Sequence, residues 1–388
     1  MKRYLALVLA VVMLFTCLPL TTFATQTPAA VDLPVAEKWE ITTEFIGFAP
    51  ATKASAEYGT LEEVVAAIRK KMVARSNEFF VYGLVPYSES TTSDDLVTLA
   101  HDLLYEAMEH TGVADEGDYI RSHYDGGRYG ISYSYDSQWF YVTFRYYPNY
   151  STTADQEAAT TAAVEALLPQ LQGATDYETV CNVYDWLTDN VTYDYANLKD
   201  DAYVLKYSAY AALVDKTAVC QGYATALYRL LLELGVECRM VSGTADNGEA
   251  IGSHAWNTVK LGSKYYLADS TWDATYAQAG YDYVYFLKGR TDFDVDHFPK
   301  VAYTNVSATD YIPGTEEDTA AGLRGDVNPD GVVDLNDFVA LARHLGLVEE
   351  ITDSDILSNA DVTGDSVVDL NDFVKLAQYL GNVITDLS

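Results

Sequence analysis

Three side chains of this sequence have the types and spacing to make and break an acyl bond. Cys220 stands where an extended stretch, Leu213-Val214 and then Ala218-Val219, passes into the pattern AVCQGYATALYRLLLELG. Ala224, Leu227, Tyr228, Leu231, Leu232 and Leu234 recur at helical period, and Gly235 stops the run. A thiol at a helix N-terminus lies in the positive end of the dipole, near unpaired backbone N–H groups, which favours thiolate over thiol. His254 begins a β-rich segment, Ser253–Leu261, whose chain turns at Gly262-Ser263 and returns through Lys264 to Asp269. If those two residues are the whole loop, Leu261 pairs with Lys264 and Trp256 lies opposite Asp269. His254 is then diagonal to Asp269 on the same face, about 7–8 Å away by backbone, within reach of an imidazole–carboxylate hydrogen bond. A four-residue loop keeps this parity, whereas a three-residue loop puts Asp269 on the other face. Asp273, beyond Trp272, is a rival for the orienting role.

In such a set the thiolate attacks a carbonyl carbon. His254 holds it as an ion pair and then protonates the leaving amine, while Asp269 fixes the imidazole tautomer and its charged form. The backbone N–H of Cys220 is a natural half of an oxyanion hole, and the sequence names no second donor. A lone cysteine in an apolar helix and a lone strand histidine are each more often structural. The three together favour a nucleophile. Of the six histidines (His101, His110, His123, His254, His297 and His344), only His254 opens a β-rich segment downstream of Cys220.

The elements that must position this set follow from periodicity. Tyr177–Asn190 reads as a helix, with Cys181, Tyr184 and Leu187-Thr188 on one face, which makes Cys181 a core residue. After the helix opened by Cys220 come Val236–Gly243, Ser253–Leu261 and Lys264–Asp269, an antiparallel run. Helices followed by such a run give an α+β class. Upstream, Leu61–Arg75 and Leu96–His110 read as amphipathic helices, Tyr129–Tyr147 as a hairpin around Tyr135-Asp136-Ser137, and Ala158–Leu168 as a helix with Pro169 just past its end. The 32 tyrosines suit half-buried sheet faces, and no motif in residues 37–172 carries chemistry. Cys181 and Cys238 both fit as buried apolar residues; a bridge between them would leave Cys220 free.

At the N-terminus Lys2-Arg3 precedes an apolar run from Tyr4 to Leu20 and the small-residue site Thr22-Phe23-Ala24. This predicts a signal peptide over residues 1–24, a flexible leader over 25–36 and an exported protein. Thr16 before Cys17 fits lipoprotein processing poorly. No later segment is long and apolar enough to span a membrane. The net charge of −33 argues against nucleic acid and anionic membrane as partners.

Past an acidic linker at 312–323 the chain repeats: DVNPDGVVDLNDFVALARHLG from Asp326 returns as DVTGDSVVDLNDFVKLAQYLG from Asp361. Asp326, Asn328, Asp330, the carbonyl of Val332, Asp334 and Asp337 fall at positions 1, 3, 5, 7, 9 and 12 of a calcium loop, with Gly331 at the turn. The second loop offers Asp361, Thr363, Asp365, Val367, Asp369 and Asp372. Thr363 and Ser366 depart from the pattern, so two Ca2+ sites are expected, the second weaker.

The segments DWLTDNVTYDY, SAYAALVDKTAVCQGYATALYRLLLELGVECRMVSG and SHAWNTVKLGSKYYLADSTWD resemble the transglutaminase-like superfamily in its bacterial secreted branch. The resemblance implies a papain-like fold over 173–311, thiol acyl-transfer chemistry and a triad of Cys220, His254 and Asp269. The repeat resembles a type I dockerin over 324–388, with Asp at position 12 where an EF-hand has Glu. That resemblance implies docking to a cohesin domain of a cellulosome scaffoldin, an extracellular assembly for polysaccharide catabolism, read through Leu335-Asn336 and Leu370-Asn371. These pairs are identical in both copies and so permit two binding orientations. The expectation is a secreted thiol enzyme acting on peptide or amide bonds of a peptide or protein substrate, hydrolysing rather than crosslinking. The alternatives are a crosslinking transglutaminase and a non-catalytic peptide- or cell-wall-binding protein.

Overall fold

The computed structural model describes residues 42–48, 57–313, 324–328, 333, 335–346, 348, 351–364, 367–381 and 387. The expected signal peptide and leader lie outside them, as does the linker from 314 to 323.

The N-terminal region is a sheet covered by helices. It comprises β1 (Thr43–Phe48), α1 (Leu61–Val73), β2 (Phe79–Pro86), α2 (Ser93–Glu106), the short α3 (Asp118–His123), β3 (Tyr124–Tyr135) and β4 (Trp139–Tyr150). Its strand order is β1-β3-β4-β2, antiparallel except for the parallel β1–β3 pair. α1 and α2 each begin with a reciprocal capping box, Thr60 with Glu63 and Thr92 with Asp95. Their apolar stripes pack on the alternating inward residues of the sheet: Ile68, Met72, Leu103 and Leu104 meet Val81, Ile131, Val142, Phe144 and Tyr146.

The central region follows as α4 (Ala154–Leu171), α5 (Asp176–Asn190), β5 (Thr192–Tyr193), β6 (Thr217–Ala218), α6 (Cys220–Glu233), β7 (Cys238–Asp246), β8 (Ile251–Leu261), β9 (Lys264–Ala268), α7 (Ser270–Gln278), α8 (Arg290–Phe293) and β10 (His297–Pro299). The three anticipated strands form an antiparallel sheet, to which β10 adds an edge in the order β10-β7-β8-β9. α6 is buried at every residue from Cys220 to Leu231, with the polar Gln221, Thr225 and Arg229 answered by Ser122, the Gln221 carbonyl and Glu233.

Two local expectations need correction. Pro169 lies inside α4 rather than past its end. Only two residues follow it there, so the missing N–H costs a single bond of the last turn. Cys181 is half-buried, not core, because the buried face of α5 is centred on Val180, Val183, Tyr184 and Leu187 and Cys181 falls at its edge. Cys181, Cys220 and Cys238 are all free thiols.

The N-terminal and central regions share a joint. The Asp118 carboxylate accepts from the Arg239 guanidinium at 2.7 and 3.1 Å and from the Met240 backbone N–H. The Ala209 N–H donates to His123 Nε2, and Tyr119 packs in the core cluster of the central region.

The C-terminal region contains α9 (Leu335–Leu345), α10 (Ser354–Ala360) and α11 (Leu370–Leu380). Val327, Leu341, Ala360, Val362, Leu376 and Leu387 form its small core, and Phe338 stacks on Phe373 at 4.1 Å, one ring from each repeat.

Candidate active site and calcium loops

Cys220 is the first residue of α6, at a helix start where no side chain caps the first-turn N–H groups and Gly222 N–H turns back to the Val219 carbonyl at 2.8 Å. The thiol is buried against Ala224, Ala255 and Met240, which brings it to the strand that carries His254. That strand is tied to α6 by Asn257, whose amide donates to the carbonyls of Ala224 at 2.9 Å and Arg239 at 3.3 Å. The β8–β9 turn has two residues. Leu261 pairs with Lys264, and Gly262 takes the positive φ of 61° that the first position of a type II′ turn requires. Asn257 pairs with Ala268, so Asp269 arrives on the face of His254.

His254 Nε2 lies 2.8 Å from Asp269 Oδ2, with both side chains buried. The other carboxylate oxygen, Oδ1, caps α7 by accepting the N–H groups of Thr271 at 2.9 Å and Trp272 at 3.3 Å. Nδ1 of His254 is buried with no partner at hydrogen-bond geometry. Burial works against a charged His254, but the Asp269 carboxylate and then Cys220 outweigh it and hold the ring at about 10. Burial pushes Asp269 up, and the two neighbouring histidines, His254 and His297, more than reverse this, leaving it well below the usual carboxylate range. The imidazolium–carboxylate pair is therefore the stable form of the site across neutral pH.

Asp273, the rival orienter, faces away from His254. It accepts from the Tyr184 hydroxyl at 2.7 Å and the N–H groups of Val284 and Tyr285, and burial raises its pKa to about 7. Cys238 is buried, and burial followed by the Asp118 charge drives its thiol far up, the opposite of a reactive cysteine.

Two residues near the site were not anticipated. Tyr193 pairs by backbone with Ala218, two residues before Cys220, and its buried hydroxyl has no hydrogen-bond partner. Burial and then Cys220 raise its pKa well above the ordinary value. The Tyr in VTYDY was its only sequence signal. His297 reaches Asp269 from β10, where a three-residue strand carries no periodicity to read. The ligand atoms of His254, Asp269 and His297 lie within 4.8 Å of one another, a span that a metal ion could fill. Both ring nitrogens, however, sit at hydrogen-bond distance from Asp269 Oδ2, at 2.8 and 3.3 Å, which accounts for the cluster.

Of the calcium-loop residues, Asp330, Val332, Asp334 and Asp365 lie outside the described residues. In the first loop, Asp337 is buried and its Oδ1 accepts the N–H groups of Val327 at 2.8 Å and Asn328 at 3.0 Å. In the second, Asp372 is equally buried and accepts from Thr363 N–H at 2.9 Å and Asp369 N–H at 2.8 Å. The position-12 carboxylate thus accepts the N–H of loop position 3 in both repeats, adding position 2 in the first and position 9 in the second. All remaining described donors, Asp326, Asn328, Asp361, Thr363, Val367 and Asp369, offer hard oxygens suited to Ca2+. Leu335, Asn336, Leu370 and Asn371 are exposed at the starts of α9 and α11.

Residues 165–272 match the transglutaminase-like superfamily, and residues 324–381 match the dockerin type I domain. This chain carries a transglutaminase-like core and a C-terminal dockerin. The core is also similar to human kyphoscoliosis peptidase, 30% identical over 163 residues that cover 38% of this chain and 24% of that protein. The mouse protein of the same name is 27% identical over 205 residues, 48% of this chain and 31% of its own. The chain therefore spans less than a third of the length of these curated relatives. A solved TGase structure aligns over 47% of this chain and 58% of its own, at 14% identity and a TM-score of 0.28. Among the described residues no helix is long and apolar enough to cross a membrane. The dockerin belongs to a class of modules that bind calcium and cohesins.

Proposed function

We propose that this chain is a secreted thiol enzyme that opens peptide or amide bonds, held on a cohesin-bearing extracellular scaffold by its dockerin. Cys220 is the nucleophile, His254 its ion-pair partner and proton donor to the leaving amine, and Asp269 the group that orients His254. The observation that carries this reading is the His254 ring, hydrogen-bonded to Asp269 through Nε2 while Nδ1 is left without a partner beside the helix-start thiol. Attack places the negative charge of the tetrahedral intermediate near the Cys220 N–H, and the unpartnered Tyr193 hydroxyl is the candidate second donor. Hydrolysis is favoured over crosslinking by likeness to relatives named as peptidases.

In the dockerin, Asp326, Asn328, Asp330, Val332, Asp334 and Asp337 hold one calcium ion. Asp361, Thr363, Asp365, Val367, Asp369 and Asp372 hold a second, more weakly. The exposed Leu335-Asn336 and Leu370-Asn371 pairs, each followed by an exposed valine one turn on (Val339 and Val374), form two equivalent cohesin-facing strips.

The deciding experiment is iodoacetamide labelling of the folded chain at neutral pH. Cys220 is expected to label much faster than Cys181 and Cys238, and Cys220→Ala to lose both that label and all amide turnover. A Cys220 that resists labelling until the protein unfolds would sink the catalytic reading. Chelation is expected to lower the helical signal of the chain and to abolish cohesin binding while leaving the thiol reactive.

A further inference from the structure

We propose that His297 is a positioning residue for this site, clamped by Asp296 so that it fixes the Asp269 carboxylate against His254. The proposal rests on the nucleophile reading of Cys220. His297 lies 28 residues beyond Asp269 and outside the segment matched to the transglutaminase-like superfamily.

The geometry forms a closed chain. His297 Nε2 lies 3.3 Å from Asp269 Oδ2, the oxygen that also faces His254, and His297 Nδ1 lies 2.6 Å from Asp296 Oδ1. A proton on Nε2 makes His297 a donor to Asp269. Asp269 is then held by four donors: two backbone N–H groups on Oδ1 and two imidazoles on Oδ2. A carboxylate with fewer partners could swing about its Cα–Cβ bond and carry the His254 ring with it.

The anchor is itself fixed. Asp296 Oδ2 accepts the Tyr285 hydroxyl at 2.8 Å, and its backbone carbonyl accepts Asp246 N–H at 2.8 Å. The His297 ring is boxed by Phe293 at 4.1 Å, Trp272 at 4.6 Å, Trp256 at 5.0 Å and Tyr285 at 5.2 Å, with the His254 ring 5.5 Å away. Gly243 lets β10 come this close. A Cβ there would collide with the Phe298 carbonyl oxygen and sit 2.7 Å from the Trp256 ring. A buried histidine with both nitrogens satisfied is costly to assemble, and here each of its partners leads back to the site.

The test uses the full chain and measures the rate at which iodoacetamide alkylates Cys220, read by peptide mass, together with thermal unfolding. His297→Phe fills the aromatic box without a donor, His297→Gln returns one N–H toward Asp269, and Asp296→Ala leaves His297 in place but unanchored. His297→Phe and Asp296→Ala are expected to slow alkylation by about tenfold or more at about pH 6, where the thiolate depends on its imidazolium partner. His297→Gln is expected to recover most of that loss. Should His297→Phe fail to fold, Asp296→Ala decides. A wild-type rate in folded His297→Phe or Asp296→Ala overturns the proposal. So does a loss that tracks the melting temperature and is not rescued by Gln, since that describes packing alone. If wild-type Cys220 is itself no more reactive than Cys181, the nucleophile reading falls first and takes this one with it.

Discussion

Among the described residues, two four-stranded sheets are filled very differently. The inner face of β1-β3-β4-β2 is aliphatic and aromatic, with Ile131, Val142, Phe144 and Tyr146 fully buried under α1 and α2. On and beside β10-β7-β8-β9, His254, Asn257, Asp269, Asp273 and His297 are just as deeply buried. Burying a charge is expensive unless it is paired, and nothing in the packing of a small sheet demands five such groups together. The first sheet illustrates what stability requires and the second shows an added polar network, with almost every member answered by a hydrogen bond.

The contrast can be broken most forcefully at Asp269. Asp269→Ala strips His254 and His297 of a shared acceptor and α7 of its cap, and should cost about 3–5 kcal/mol by denaturant titration. Cys220 alkylation in the same variant should fall by about a thousandfold, as when an orienting carboxylate is removed from a nucleophile–histidine pair. Phe144→Ala in the first sheet should cost a similar 3–5 kcal/mol, roughly, through its cavity. Alkylation of its folded fraction should stay at the wild-type rate. If Phe144→Ala slowed the thiol as much as Asp269→Ala, the two sheets would not be separable in function.

A smaller effect sharpens the contrast through pH. The Asp273 carboxyl stands at about 7 in the folded chain against an ordinary 3.8, so the fold binds its proton more tightly than the unfolded chain does. Its contribution to stability is complete below the ordinary value and is lost as pH rises through about 7. Asp273→Asn keeps an acceptor for Val284 and Tyr285 and should flatten the decline of unfolding free energy across that window. His254, raised to about 10, contributes below its ordinary 6.5 and loses that contribution as pH rises through 10. Stability of the wild type should therefore keep falling into alkali after the Asp273 component is spent.

Much of the site could be read from sequence because its cues are local. A cysteine at the junction of an extended stretch and an apolar helix, and a Gly-Ser turn that fixes strand parity, are enough to bring Cys220, His254 and Asp269 together. The N-terminal helices and the β3–β4 hairpin were equally legible from periodicity. His297 was not, because β10 is three residues long and meets Asp269 only through the β10–β7 pairing of His297 with Ala245. Tyr193 was hidden for the same reason, lying on a two-residue strand. The joint around Asp118, His123 and Arg239 pairs residues more than eighty positions apart, which no pattern along the chain announces.

That joint reaches the Cys220 end of α6. Gln221, the residue after Cys220, donates its side-chain amide to the carbonyl of Ser122 in the N-terminal region. The helix start that carries the thiol is therefore braced by the N-terminal region. In terms of portability, the piece to graft onto another scaffold is 42–313, which keeps β1 on its sheet, not the matched segment 165–272. A graft cut at residue 173 would expose the apolar seat of Tyr119 and leave the Gln221 amide and Arg239 guanidinium without their acceptors. The loosened part would be the one turn of helix on which Cys220 sits.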